Sequence, residues 1–535
     1  MTEEQIMIDQ NAMVDEDGYV YSYPNIPYFL LDDEIGANKR SIYFKDFAEI
    51  NKYYEIYNKG AKFISEGSNL DYVPSDMRYK KASMIVNKEA RFLFANKPTF
   101  NVNVDDVKSE ENGDNAIIQD FLDKVFEKTK FHSKLMKSAK DCFVGKRIAI
   151  VLNFNTETNI TITFLKSTEF IYELEENGSE ELKKFVTFHS VNQEELLSDQ
   201  RWIKKVYTKE NDGVYVKEVL FDGTGEEIEV VTKRTKIKFD VIPAVVILND
   251  GLIGDLWGVS ELGSLIDYEK NYSKLANADM DAERKSMNPI RYTIDASEGS
   301  TKTLSTSPGS YWDLQTDEEK PDEKTTSAKV GTLEAQMNYS NPLKVTLERI
   351  ENQMYSELDV PNITSEQLSG VITSGKTIQA LYWGLTVRCD EKMLSWAPEL
   401  IRIATLIIEG GKLYPSLIDK YTDKKIPDID YDILVENNYP LPEDVKDEKE
   451  LDIAEVEARI MSRKSYLKKW RKLNDQQADD EIEQIKYEQE LFENSVMNYS
   501  TTDTVSAENQ QQSVFSEDGV IGEYVEQEDG ERTYG

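Results

Sequence analysis

The chain has 535 residues, enough for roughly two to four ordinary domains, and 39% of them are apolar, as in a folded protein able to bury a sizeable core. One hundred acidic against 63 basic side chains leave a formal charge of −37. That argues against a surface gripping nucleic-acid phosphates through massed Lys and Arg. With only Cys142, Cys389, His132 and His189 available, a disulfide framework, a thiolate metal site, zinc hydrolysis and a Ser-His triad are disfavoured, and a reducing compartment is the natural setting.

Residues 1–45 are acidic and tyrosine-rich, with Pro24 and Pro27, and predict an extended arm or peripheral segment; the start Met1-Thr-Glu-Glu lacks the basic region of a secretory signal. Helical spacing follows over residues 44–58, 78–94, 116–127 and 131–144. Between 147 and 249 the pattern switches to strands, at 148–152, 160–164, 185–188 and 214–216, with turn signals at Asn211-Asp-Gly213 and Asp222-Gly223. The longest apolar run, 241–248, is far short of a membrane span, so a soluble protein made in the cytoplasm is expected. The whole predicts an α+β fold without an internal repeat.

Two amphipathic rods come next. The first covers residues 259–287, with Leu262, Leu265, Ile266, Tyr272, Leu275 and Met280 at three- and four-residue spacing until Pro289 stops it. The second begins at Asn341-Pro342, an N-cap residue followed by proline, carries Leu343, Leu347, Ile350, Met354 and Leu358, and ends before Pro361. Between them, residues 289–340 read as short strands at 290–294 and 311–314, joined by a Ser/Thr/Gly-rich stretch and the acidic stretch 317–323. A polar loop, 362–374, leads to a third helix over 376–409, kinked at Pro398 and closed by Gly410-Gly411. A strand at 431–436 leaves into a proline turn at Pro440. Residues 447–491 predict charged helices with Trp470, Leu473, Ile482 and Ile485 as sparse apolar contacts, and 496–535 read as disordered.

Three patterns invite chemistry. Gly370-Val-Ile-Thr-Ser-Gly-Lys-Thr377 fits the phosphate-loop pattern, in which backbone amides cradle phosphates and the lysine reaches them. Its context argues otherwise, because the preceding residues 364–369 are polar and lack strand character; Thr373 or Ser374 serves equally well as a helix cap. Asp279, Asp281 and Glu283 suggest a metal cluster, yet positions two apart on a helix face different ways, and a solvated stripe is the simpler reading. Arg284 and Lys285 suit the C-terminal end of the first rod, where cations stabilise a helix.

The stretches Arg91-Phe-Leu-Phe-Ala-Asn-Lys-Pro98, Asp255-Leu-Trp-Gly-Val-Ser-Glu-Leu262 with the helix after it, and Ser374-Gly-Lys-Thr-Ile-Gln-Ala-Leu381 resemble the portal proteins of tailed bacteriophages over about residues 50 to 495. The resemblance implies a portal-type fold: an N-terminal arm (1–45), a mixed wing (46–258), stem helices (259–288 and 341–360), a clip with strands (289–340), and a tunnel loop (361–375). A long kinked helix with a wing return strand (376–444), crown helices (445–495) and a tail (496–535) complete it. Trp470-Arg-Lys-Leu473 departs from the family's usual proline turn in the crown.

It further implies a non-enzymatic, dodecameric ring with no cofactor, through which double-stranded DNA passes without sequence specificity. The partners would be the large terminase, a head-tail adaptor, and the major capsid and scaffolding proteins, and the place the capsid portal vertex. By the same comparison Asn362, Glu366, Leu368, Gly370, Val371, Ile372, Thr373 and Ser374 would project toward DNA, Arg284 and Lys285 would meet its phosphates at the stem end, and Leu262, Ile266, Leu347, Ile350 and Met354 would pack the stem, most simply between subunits. Each rod is net −2: residues 259–288 hold six acidic and four basic side chains, residues 342–359 four and two. A phosphate-loop ATPase using residues 370–377 and a structural or scaffolding protein of another assembly remain the alternatives.

Overall fold

A computed structural model of the chain describes residues 12–14, 20–22, 27, 29–32, 37–61, 73–104, 113–154, 159–176, 180–192, 199–287, 290–294, 296–297, 314, 328–333, 338–363, 375–422, 424–441, 445–471, 473 and 475–502. It divides into two compact units, Met1–Pro442 and Glu443–Gly535.

In the first unit the four early helices form as expected, at Ala37–Lys59, Lys81–Phe94, Asp114–Lys128 and Phe131–Gly145. The opening of the chain is not simply an extended arm. Ala12–Val14 pairs with Val20–Ser22, and Leu30 and Leu31 are wholly buried in a cluster with Phe44, Phe47 and Phe188. Two leucines beside an amphipathic helix gain more from burial than from lying in solvent.

Two antiparallel sheets follow. Arg147–Phe154 lies between Ile160–Lys166 and Ala244–Leu248 in a three-stranded sheet. Residues 147–152 are buried throughout, and after Arg147 the stretch 148–152 reads as a continuous apolar run. Five further strands, in the order Glu227–Lys236, Gly213–Phe221, Trp202–Glu210, Leu182–Ser190 and Phe170–Leu174, form a meander. Three of them escape the sequence pattern because lysines and glutamates interrupt their apolar positions. Tyr431–Glu436 returns to pair with Thr99–Val104.

The third predicted helix is corrected at both ends. A short helix, Gly375–Leu381, is separated at Tyr382 from the long helix Trp383–Leu413, which keeps Pro398 inside it and runs straight through Gly410 and Gly411. These glycines do not terminate the helix. A Cβ on Gly410 would stand 2.1 Å from the Phe154 ring, and one on Gly411 2.4 Å from Ile426, so their bare backbone lets the core close against the helix. Cys142 and Cys389 are free and buried.

In the second unit, Val445–Glu457, Arg463–Arg471 and Asp475–Thr502 are helical. Leu467 and Ala478 are buried, and Trp470 donates to Asp452 at 2.7 Å while Lys469 pairs with the same carboxylate at 2.8 Å. The last helix carries residues 496–502, which the composition assigned to disorder; 503–535 lie outside the described residues. Among the described residues no helix is long and apolar enough to cross a membrane.

Candidate functional site

Both rods form where their apolar spacing places them, as Glu261–Met287 and Ser340–Glu357. The first is about 40 Å long at 1.5 Å per residue. The second begins one residue before Asn341, with Tyr339 flanking it, so Asn341 is not the cap and Pro342 sits inside the first turn. The rods run antiparallel: Leu262 and Leu265 share a core with Met354 and Leu358, whereas Tyr272 and Asp279 lie across from Ser340, Leu343 and Leu347. At their far ends Ile290–Ile294 pairs with Lys329–Leu333. Of the strand expected at 311–314, residues 311–313 lie outside the described residues.

The expected packing residues divide by position. Leu262 and Met354 are wholly buried within the chain's own core, which leaves them no surface for a neighbour, contrary to a reading of the stripe as intersubunit. Ile350 packs against the same core, Ile266 against Ile56 and Ala61, and Leu347 is half-buried.

The turn into the first rod is tightly built. Gly258 has φ +72, and a Cβ there would stand 2.3 Å from the Lys146 carbonyl oxygen, so glycine is required. Val259 N donates to the Asn249 carbonyl at 2.7 Å, and Ser260 Oγ, donating to Val144 at 2.7 Å, accepts from Leu262 N at 3.2 Å.

Directly behind this turn lies a cluster of four charged side chains, Glu89, Glu261 and Lys392 buried and Arg388 half-buried, that the sequence pattern did not reveal. Arg388 spans the carboxylates of Glu89, at 2.8 Å, and Glu261. Lys392 bonds Glu261, lies 3.6 Å from Glu89, and donates to Asn249 at 2.9 Å. One oxygen of Glu89 has no hydrogen-bond partner. Burial, helped by the like charge of Glu261, pushes the Glu89 carboxyl up to about 7. Burial acts on Glu261 too, but Lys392 and Arg388 outweigh it and hold that carboxyl below its ordinary value. The cluster ties helix 81–94, the first rod and the long helix together at one point. Its members lie on helix faces that are otherwise apolar, Glu89 among Ile85, Val86 and Leu93, Lys392 beside Cys389 and Trp396. A charge on a buried stripe was the one signal available.

Farther along, polar side chains of the first rod bind an extended segment. Glu269, buried and raised to about 7 by that burial, accepts from Ala82 N at 2.7 Å and so caps helix 81–94. Asn277 exchanges two 2.9 Å bonds with the backbone of Met77. Asp281 accepts from Ser75 N at 2.9 Å and Ser75 Oγ at 2.7 Å. It is therefore a buried acceptor, not part of a solvated stripe, and no group of residues among those described could hold a metal ion. Arg284 donates to the Val73 carbonyl at 3.1 Å and to Ser75 Oγ at 2.7 Å; Lys285 is exposed.

Of the loop candidates, Asn362 is described and donates to Asn352 at 2.9 Å. Glu366, Leu368, Gly370, Val371, Ile372, Thr373 and Ser374 lie outside the described residues. The phosphate-loop reading finds no support. A helical rod rather than a buried strand precedes this segment, and every strand pairing among the described residues is antiparallel.

No curated protein matches the chain. Residues 37–491 match the family model described as phage portal protein, SPP1 Gp6-like. That match takes in both rods, the strands between them and the long helix, and the chain therefore belongs to the phage portal family, structural proteins of bacteriophages that form the DNA channel at a capsid vertex.

Proposed function

We propose that the paired rods are the stem of a closed, dodecameric portal ring, with 46–258 as wing, 289–340 as clip, 361–375 as tunnel loop and 445–495 as crown. The observation that carries this reading is the antiparallel rod pair, rooted in the core at one end and bearing a strand pair at the other. Such a projection, repeated around an axis by head-to-tail contacts, encloses a channel. Its net negative charge suits DNA that slides rather than sticks. The strand pair at the tip is then the natural docking place for the large terminase and later a head-tail adaptor, while the wing and crown meet capsid and scaffolding proteins. Residues 362–374 project toward DNA, and Arg284 and Lys285 approach its phosphates near the rod's end. ATP hydrolysis belongs to the terminase.

Electron microscopy of the purified protein tests this, with rings of one size and an axial opening as the expected result. Monomers or filaments at every salt concentration would refute the ring. Saturable binding of magnesium-ATP, lost in Lys376→Ala, would refute the non-enzymatic reading.

A further inference from the structure

Closing a ring head to tail requires two different surfaces on each subunit that fit one another. Two features at the root of the rods have the required complementarity. The first is a knob. Asp250-Gly-Leu-Ile-Gly-Asp255 projects from the turn into the first rod, with Leu252 88% exposed and Ile253 wholly so. It is a braced structure. Asp255 N donates to the Leu252 carbonyl at 2.9 Å, Trp257 N donates to Asp255 Oδ1 at 2.9 Å, and Arg147 donates to the Trp257 carbonyl at 3.0 Å. The Trp257 ring rests 4.8 Å from that of Tyr43. A rigid apolar tip loses little conformational freedom on docking.

The second feature is an apolar groove of about 450 Å³ lined by Phe92, Pro361, Ile363 and Tyr382 together with Arg91 and Lys88, which also donates to the Tyr355 hydroxyl at 3.0 Å. Arg91 is exposed. An apolar pair flanked by two carboxylates matches an apolar groove flanked by two cations. Antiparallel pairing also brings the start of the first rod and the end of the second, where Pro361 lies, to the same end of the stem. A rotation about an axis along the rods would keep knob and groove at one height.

We propose that the Leu252-Ile253 knob of one subunit seats in the groove of the next copy, with Asp250 and Asp255 facing Lys88 and Arg91. This rests on the ring reading above and names the contact that closes the ring. It places one chain's rod root against Pro361 and Ile363 of its neighbour.

The test uses full-length protein. Chains carrying Leu252→Cys and chains carrying Ile363→Cys are co-expressed, purified as rings and oxidised. Covalent dimers in the mixed rings, absent from either variant alone, are expected. In parallel, Ile253→Asp should raise the concentration for half-assembly about tenfold or more, with an unchanged circular dichroism melt because Ile253 packs on nothing within its own chain. Rings that form normally with Ile253→Asp and yield no covalent dimer would overturn this contact and leave the ring intact. Wild-type protein that forms no rings would overturn both.

Discussion

The root of the paired rods and their far half belong to the same two helices, yet they are held by different physics. At the root, Leu262, Leu265, Met354 and Leu358 are between 0% and 1% exposed, and Glu89, Glu261 and Lys392 are buried there with Arg388 half-buried beside them. In the far half, Leu343 and Leu347 are only half-buried, Val345 is 63% exposed, and the first rod is secured by hydrogen bonds to residues 73–80. The root is thus completed by its own chain. The far half leaves apolar surface over, as expected of a segment finished by neighbouring copies.

The largest effect that would break this contrast is at Arg388. Replacing it with methionine leaves Glu89 and Glu261 buried with one cation between them, and should cost about 3–5 kcal/mol in urea unfolding. A loss below 1 kcal/mol would mean the cluster is solvated and the root is no different from the rest. Asp281→Ala comes next. It strands the Ser75 amide and hydroxyl and should cost about 1–3 kcal/mol, with faster hydrogen exchange at amides 75–80 and none of the change reaching the root.

A pH titration separates the regions further. Glu89 and Glu269 hold their protons up to about 7 against an ordinary 4.5. The stability linked to those protons is complete below 4.5 and is lost as pH rises through 7. Glu261 is displaced the other way, so its contribution is complete above 4.5 and fades only as pH falls below it. Unfolding free energy should therefore decline between pH 5 and 8, and Glu89→Gln should make that slope shallower, Glu269 and the raised carboxyls of Asp141 and Glu399 supplying the rest. An unchanged slope would show that Glu89 stays ionised. The smallest effect is expected of Val345→Asp, within about 0.5 kcal/mol for the isolated chain, with any loss seen only in ring yield. A large drop in chain stability would mean the far half is already packed.

The rods were legible in the sequence because their apolar residues recur at helical spacing over many turns, and the strand at 290–294 because β-branched residues sit between turn signals. The buried cluster was not. Glu89, Glu261 and Arg388 are more than a hundred residues apart, and nothing in local pattern says which charges meet. Gly410-Gly411 misled for a related reason, since glycine stops a helix unless a ring from elsewhere, here that of Phe154, needs the space. Asp281 read as solvated because its acceptor role depends on Ser75, two hundred residues earlier.

The two cysteines, both sealed within the core around the long helix, give the protein an internal clock. Burial pushes both thiols well above their ordinary range, so neither presents a thiolate to reagent while the fold is closed. Alkylation of Cys389 would count openings of the long helix, and alkylation of Cys142 openings of helix 131–145 beneath it. The ratio of the two rates, followed in free chains and then in rings, would reveal whether assembly slows the breathing of one part of the subunit more than the other.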